Sequence, residues 1–227
     1  MTAKDMFSHR VSILTGHYGT GKTEVSVNLA LALAAEGEQV MLADLDIVNP
    51  YFRSRERRPL LEKAGVRVIS SSQACSDADV PALPAELLTI LENREIRGIL
   101  DIGGDPVGAR VLARFQPKIV QEDYQLIFVL NANRPEVRDA ESAAAYLRSI
   151  EAVTGLTCSG LVNNTHLCGE TTPAEIRKGV ALAQEVSWQT GIPILCHTAE
   201  RRFLESLSDL GEPVFPIAIN MKKPWER

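Results

Sequence analysis

A chain of 227 residues, 45% of them hydrophobic, is long enough to bury a core and suits one α/β domain. Its formal net charge of −5 supplies no global basic field for nucleic acid or an anionic membrane, so neither is expected as a partner. No apolar run reaches the roughly 18 residues of a membrane span, and the start, MTAKDMFSHR, has no apolar signal core. Cys75, Cys158, Cys168 and Cys196 lack C-x-x-C spacing. That argues against a disulfide framework or a self-contained zinc or iron–sulfur site, and fits reduced thiols in a cytoplasmic protein.

The first strand is expected over VSILT (11–15), ended by Gly16. Residues 23–38 carry Val25, Leu29, Ala32 and Leu33 at helical spacing, with Gly37 as a stop signal. A second strand is expected at 39–44, then a loop rich in Pro and Arg from Leu45 to about Pro59. A third strand fits 66–70, and residues 71–84 suggest a loop. A helix over 84–95 would have Pro84 near its first position. Strands follow at 98–104 and 124–131, the latter a continuous apolar run suited to the centre of a parallel sheet. Then come a helix at 134–151, a strand at 156–164, a helix at 172–191 with Thr172 as N-cap, a strand at 192–197 and a helix at 199–211. Two prolines make the strand at 213–219 an edge candidate. This alternation predicts an α/β three-layer sandwich with a mostly parallel central sheet, residues 1–227 forming a single domain.

GHYGTGKT, residues 16–23, fits G-x-x-x-x-G-K-[ST] between a strand and a helix. That pattern predicts a phosphate-binding loop in which Gly16, His17, Tyr18, Gly19, Thr20, Gly21, Lys22 and Thr23 surround the phosphates of a nucleoside triphosphate, here ATP. Lys22 is expected to reach the β- and γ-phosphates, and Thr23 to place its hydroxyl on Mg²⁺. Phosphoryl transfer also needs carboxylates at neighbouring strand ends. Asp44 and Asp46 in LADLDIVNP, and Asp101 and Asp105 in GILDIGGDP, supply them. Asp101 is the metal-side candidate, and Gly104 could offer a backbone N–H to the γ-phosphate. The plainer alternative is that these carboxylates cap turns or helices.

These motifs resemble the MinD/ParA and nitrogenase iron-protein branch of P-loop ATPases, with DLD ending at Asp46 as switch I and DIGGD (101–105) as switch II. The resemblance covers most of the chain at fold level and is specific only at the motifs. It implies that Asp46 orients the attacking water, with Lys22 and Asp105 completing the catalytic set. It implies that Asn164, rather than Asn163, hydrogen-bonds the adenine. His17 stands where the family has a lysine that reaches across a dimer, which leaves a homodimer open. Arg53, Arg55, Arg57 or Arg58 could act as an arginine finger, although a solvated loop paired with Glu56 and Glu62 is the plainer reading. Tyr51 and Phe52 suggest a contact surface or packing beneath the loop. The iron protein's paired cluster cysteines are missing, and the tail NMKKPWER does not resemble a membrane helix.

The nearest stretch to a guanine-reading N-K-x-D is NANRPE (131–136), which lacks the lysine and aspartate, so ATP is preferred over GTP. His166 and His197 follow late strands near the expected nucleoside, where a surface or turn role is the ordinary alternative. The expected function is a Mg²⁺-dependent ATPase switch that works with an unidentified protein partner, moving residues 45–59 and 101–115. An ATP-dependent small-molecule ligase or kinase of the dethiobiotin-synthetase type is the alternative. A metallochaperone-type GTPase is a weaker one, because no His or Cys tract is present.

Overall fold

The computed structural model describes residues 1–46, 57–70 and 83–221. In chain order the elements are α1 (Ala3–Met6), β1 (Val11–Thr15), α2 (Lys22–Ala35), β2 (Gln39–Leu45), α3 (Arg58–Lys63), β3 (Arg67–Ser70), α4 (Leu83–Glu92) and β4 (Ile96–Ile102). They continue with α5 (Pro106–Ala109), α6 (Gln116–Ile119), β5 (Tyr124–Leu130), α7 (Ala140–Thr154), β6 (Cys158–Asn163), α8 (Pro173–Thr190), β7 (Ile194–Glu200) and β8 (Val214–Ile217).

The eight strands form one sheet in the order β3-β2-β4-β1-β5-β6-β7-β8. Every pairing is parallel. Successive strand residues face opposite sides, and apolar residues on both sides produce two cores. Ile13, Leu100, Leu126 and Phe128 pack on one face with Leu87 and Ile90 of α4, Leu147 of α7 and Leu182 of α8. Leu14, Leu42, Ile99, Ile127 and Val129 pack on the other with α1, α2 and Leu61 of α3. The layers are therefore helix, sheet, helix, as the alternation of elements predicts. β8, with its proline, is an edge strand.

Local chemistry sets the helix ends. Thr172 accepts from the Glu175 N–H at the start of α8, and Asp139 accepts from Ser142 at the start of α7. Both helices finish on a left-handed glycine, Gly155 and Gly191. Arg10 ties the end of α4 to the sheet through bonds to the carbonyls of Ile90 (2.7 Å), Leu91 (3.0 Å) and Ile96 (3.2 Å).

Some elements differ from the sequence expectation. The helix predicted at 199–211 does not form: β7 runs on to Glu200, and two 3-10 turns follow, Arg201–Phe203 and Glu205–Leu207. Ser206 and Ser208 donate to the carbonyls of Phe203 and Glu205, each at 2.8 Å, and these local bonds compete with an α-helical ladder. The apolar spacing there serves a small cluster of Ile176, Ala199 and Leu207 instead. The stretch between the strands predicted at 98–104 and 124–131, for which the sequence predicts no element, holds α5, a 3-10 turn (Arg110–Arg114) and α6, all too short to show a period. α1, held by a Thr2–Asp5 capping box, and α3 are likewise too short.

Candidate functional site

β1 lies between β4 and β5, so its C-terminal end opens at the middle of the sheet. The loop that follows turns at once. Gly16 has φ +139° and Gly21 has φ +85°, conformations that side chains rarely adopt. Neither has room for a Cβ, which would collide with the Val129 carbonyl at Gly16 and with the Asn164 amide at Gly21. Thr20 bonds the His17 carbonyl through both its N–H (3.2 Å) and its hydroxyl (2.9 Å), and Lys22 Nζ reaches the same carbonyl at 3.2 Å. Arg134 Nε donates to the Gly19 carbonyl at 2.7 Å. Asn164 Nδ2 donates to the carbonyls of Thr20 (2.8 Å) and Gly21 (3.4 Å). These loop carbonyls face the protein, which leaves the opposite, N–H edge as the one that can cradle an anion. α2 starts directly at Lys22 and adds its positive end.

On the β4 side of the loop the register sets Asp44 of β2 directly beside Asp101 of β4. Asp46 follows one residue beyond β2, and its N–H donates to Asp44 Oδ1 at 3.3 Å. All three carboxylates are buried. Asp101 is 1% exposed, and neither of its oxygens has a hydrogen-bond partner among the described residues. Burial, then the Asp44 charge, pushes its pKa up to about 7, against the pull of the Thr23 hydroxyl and the Lys22 ammonium. Lys22 is itself held below the ordinary lysine range by burial, with Asp101, Asp46 and Asp105 pulling it back up. An orphaned, buried carboxylate beside a hydroxyl has the donor chemistry of a Mg²⁺ site, which takes few protein oxygens and keeps waters and phosphate oxygens. No cluster of His, Cys, Asp and Glu able to hold a metal by itself exists among the described residues.

Gly104 brings the stretch after β4 onto the loop. A Cβ there would lie 2.8 Å from Lys22 Nζ and 2.8 Å from the Tyr18 nitrogen. The Gly104 carbonyl accepts a hydrogen bond from the Tyr146 hydroxyl of α7. The Tyr146 ring meets His17 edge-to-face at 4.9 Å. Asp105 turns toward its own chain: Oδ1 accepts from the Gly108 N–H at 2.6 Å and caps α5. Asp105 thus caps the turn through one oxygen, and its charge acts on Lys22.

Asn164 also departs from expectation. It is 1% exposed; its amide nitrogen bonds the loop, and its oxygen accepts from Thr198 at 2.5 Å. Both amide ends that were to read adenine are already engaged. Asn163 bonds the Ile176 carbonyl and His197, which is buried and also faces Glu212 at 3.5 Å. His17 lies 3.8 Å from Glu136, and Tyr18 is 52% exposed at the loop's outer edge. Arg58 sits 3.5 Å from Glu62, as a solvated pair would. Tyr51, Phe52, Arg53, Arg55 and Cys75 lie outside the described residues, as do residues 47–56 of the switch stretch 45–59. Arg134, Tyr146 and Thr198 carry no motif and become visible only once the strands place them around the loop.

The fold and this loop define the class: an α/β P-loop NTPase. A family model described as a NUBPL iron-transfer P-loop NTPase, ParA, matches residues 6–54. The chain is 36% identical over 95 residues to the cytosolic Fe-S cluster assembly factor cfd1 of Emericella nidulans, covering 42% of this chain and 26% of that protein. It is 50% identical over 40 residues to the iron-sulfur cluster carrier protein of Escherichia coli, covering 18% and 11%. These matches support the MinD/ParA-like branch within that class. The chain thus aligns with about a quarter or less of these relatives' lengths. Among solved structures, the signal recognition particle 54 kDa protein of Aeropyrum pernix bound to GDP matches with a TM-score of 0.53 and 25% identity, covering 82% of this chain and 40% of that one. The cell division protein ftsY of Thermotoga maritima matches with a TM-score of 0.54 and 25% identity, covering 81% and 59%. No described helix is long and apolar enough to cross a membrane.

Proposed function

We propose that this chain is a Mg²⁺-dependent ATPase that works as a cytoplasmic nucleotide switch with a partner protein. The observation that carries this reading is the meeting of Gly104, the Lys22 ammonium and the buried Asp101 carboxylate at one mouth of the loop. Lys22 binds the outer phosphates, and the loop N–H groups hold the inner ones. Thr23 and Asp101 would hold Mg²⁺, which would supply positive charge against the phosphates. Asp46 orients the attacking water. Gly104 senses the γ-phosphate, because its backbone already rests on Tyr18 and Lys22. The short elements α5, the Arg110–Arg114 turn and α6 follow directly and pass the signal to the surface. Asn164 and Arg134 act as braces of the loop.

Among the described residues no group of three or more His, Cys, Asp and Glu could hold a metal, so the iron–sulfur names of the relatives are not carried over to this chain. Cys158 and Cys196 are buried, which pushes both thiols up, and the Cys168 sulfur lies 3.9 Å from His166 Nδ1.

Phosphate release with and without a metabolite panel, alongside ATP-dependent association, tests the switch. Slow turnover alone with an ATP-driven change in association supports it. Acceleration by orders of magnitude with one metabolite would instead identify a ligase or kinase. Lys22→Ala is expected to weaken ATP binding at least tenfold by calorimetry, and Asp46→Asn to leave binding within about twofold while slowing hydrolysis a hundredfold or more, on the order of a lost general-base or water-positioning group.

A further inference from the structure

The carboxylates of β2 and β4 gather on one side of the loop, with Gly104 and the Lys22 ammonium. Strands β5, β6 and β7 end on the other side and bring Arg134, Asn164 and His166. A triphosphate with its γ end at Lys22 and Gly104 therefore leads its nucleoside toward the β5–β7 side. His166, three residues past β6, stands there. A Cβ on Gly21 would lie 3.2 Å from its Nε2.

The hydrogen bonds fix the state of the ring. His166 Nδ1 accepts from the backbone N–H of Cys168 at 3.2 Å, so in the neutral ring the proton sits on Nε2. Burial, then the nearby Arg134 charge, lowers its pKa to about 4, so the ring is neutral at physiological pH. Nε2 is buried and has no hydrogen-bond partner among the described residues. A buried N–H donor without an acceptor is costly in a folded protein, and a ligand acceptor removes that cost. Asn131 Nδ2, one residue past β5, is also buried without a hydrogen-bond partner among the described residues, but the orienting Cys168 bond and the approach to Gly21 belong to His166. Arg134 Nε and the Asn164 amide hold loop carbonyls, and His197 bonds Asn163 and Glu212.

Resting on the nucleotide-binding reading above, we infer that His166 is the neutral hydrogen-bond donor that recognises the nucleoside half of the bound nucleotide, giving its Nε2 proton to an acceptor on the base or ribose. It is a specificity residue and takes no part in phosphoryl transfer. The Cys168 bond orients the ring, so the donor is preorganised before the ligand arrives.

A pair of variants separates the two nitrogens. In His166→Asn, the amide stands in for Nδ1 and still accepts from Cys168, while the outer donor is lost. In His166→Gln, the amide nitrogen reaches the Nε2 position. Affinities for ATP, GTP and inorganic tripolyphosphate, each with Mg²⁺, are measured by calorimetry. The expected result is nucleotide binding about tenfold weaker in His166→Asn, within about twofold of wild type in His166→Gln, and unchanged tripolyphosphate affinity in both. Equal weakening of tripolyphosphate and nucleotide would overturn the inference and make His166 a loop support. Unchanged nucleotide binding in His166→Asn would overturn it too. Failure of the underlying reading looks different: the wild-type protein then binds neither tripolyphosphate nor nucleotide.

Discussion

Gly21 shows how one position can combine two constraints. Its φ of +85° is costly for any side chain, and a Cβ would strike the Asn164 amide that braces the loop. Gly37 has a similar φ of +87° but open space around it. Gly37→Ala is therefore expected to cost about 1 kcal/mol, the left-handed backbone term alone. Gly21→Ala should cost more than about 2 kcal/mol and also abolish nucleotide binding. Urea unfolding of both variants, with calorimetry on each, checks the contrast, and equal destabilisation would show that the brace contributes nothing. The phosphate loop was legible in the sequence because its chemistry depends on residue type at fixed spacing. The partners of Asn164 were not legible, and for Asp105 the sequence left a cap and a catalytic role open. Amides and carboxylates bond whatever donor or acceptor lies nearest, and that neighbour is decided in space.

Among the elements, α2 does more than present its N-terminus to phosphate. Asn28, one turn beyond Glu24, clamps the chain after β8, exchanging bonds with both the carbonyl (2.9 Å) and the N–H (2.8 Å) of Ala218. Glu24 accepts from the N–H groups of Asn220 and Met221 at 2.8 and 3.0 Å. Residues 218–221 are thereby fastened to the same helix that begins with Lys22. Asn28→Ala removes both bonds to Ala218, along with those of the amide nitrogen to Glu24, and should cost about 1–3 kcal/mol, with loss of hydrogen-exchange protection at the Ala218 amide. Protection retained at Ala218 would mean that β8 alone holds the segment. Periodicity identified α2 as a helix, but it could not reveal this clamp, which joins residues 190 positions apart. Periodicity also misassigned 199–211, where serine hydroxyls bonding carbonyls three residues back favour 3-10 turns over an α-helix.

For the molecule as a whole, the buried site should leave a mark on stability. In the ligand-free protein Asp101 has its pKa pushed up to about 7 from 3.8. The folded state therefore holds a proton there that the unfolded chain has lost, and its stabilising effect fades as pH rises toward 7. His166 works in the opposite sense, with a folded pKa of about 4 against 6.5 unfolded, so its contribution is present above 6.5 and lost as pH falls toward 4. Replacing Asp101 with Asn leaves only the second effect of this pair. Between about pH 4 and 7 the stability gain of Asp101→Asn over wild type should then grow with pH, approaching about 1.4 kcal/mol per pH unit, and level off above that, when measured by urea unfolding without nucleotide and with a chelator. A gain independent of pH would show that Asp101 is ionised throughout.

The sequence by itself determined the alternation of strand and helix, the position of the phosphate loop and the carboxylates at the strand ends. Each of these is written locally, in apolar spacing or in residue types at fixed intervals. Only the tertiary structure decided the strand order that sets β2 and β4 on one side of the loop and β5, β6 and β7 on the other. It also decided which polar groups satisfy each other, as Asn164 and Thr198 do, and which atoms have no hydrogen-bond partner among the described residues, as with the Asp101 oxygens and His166 Nε2. The reason is that hydrogen bonds and desolvation act between groups brought together by the sheet, far apart along the chain.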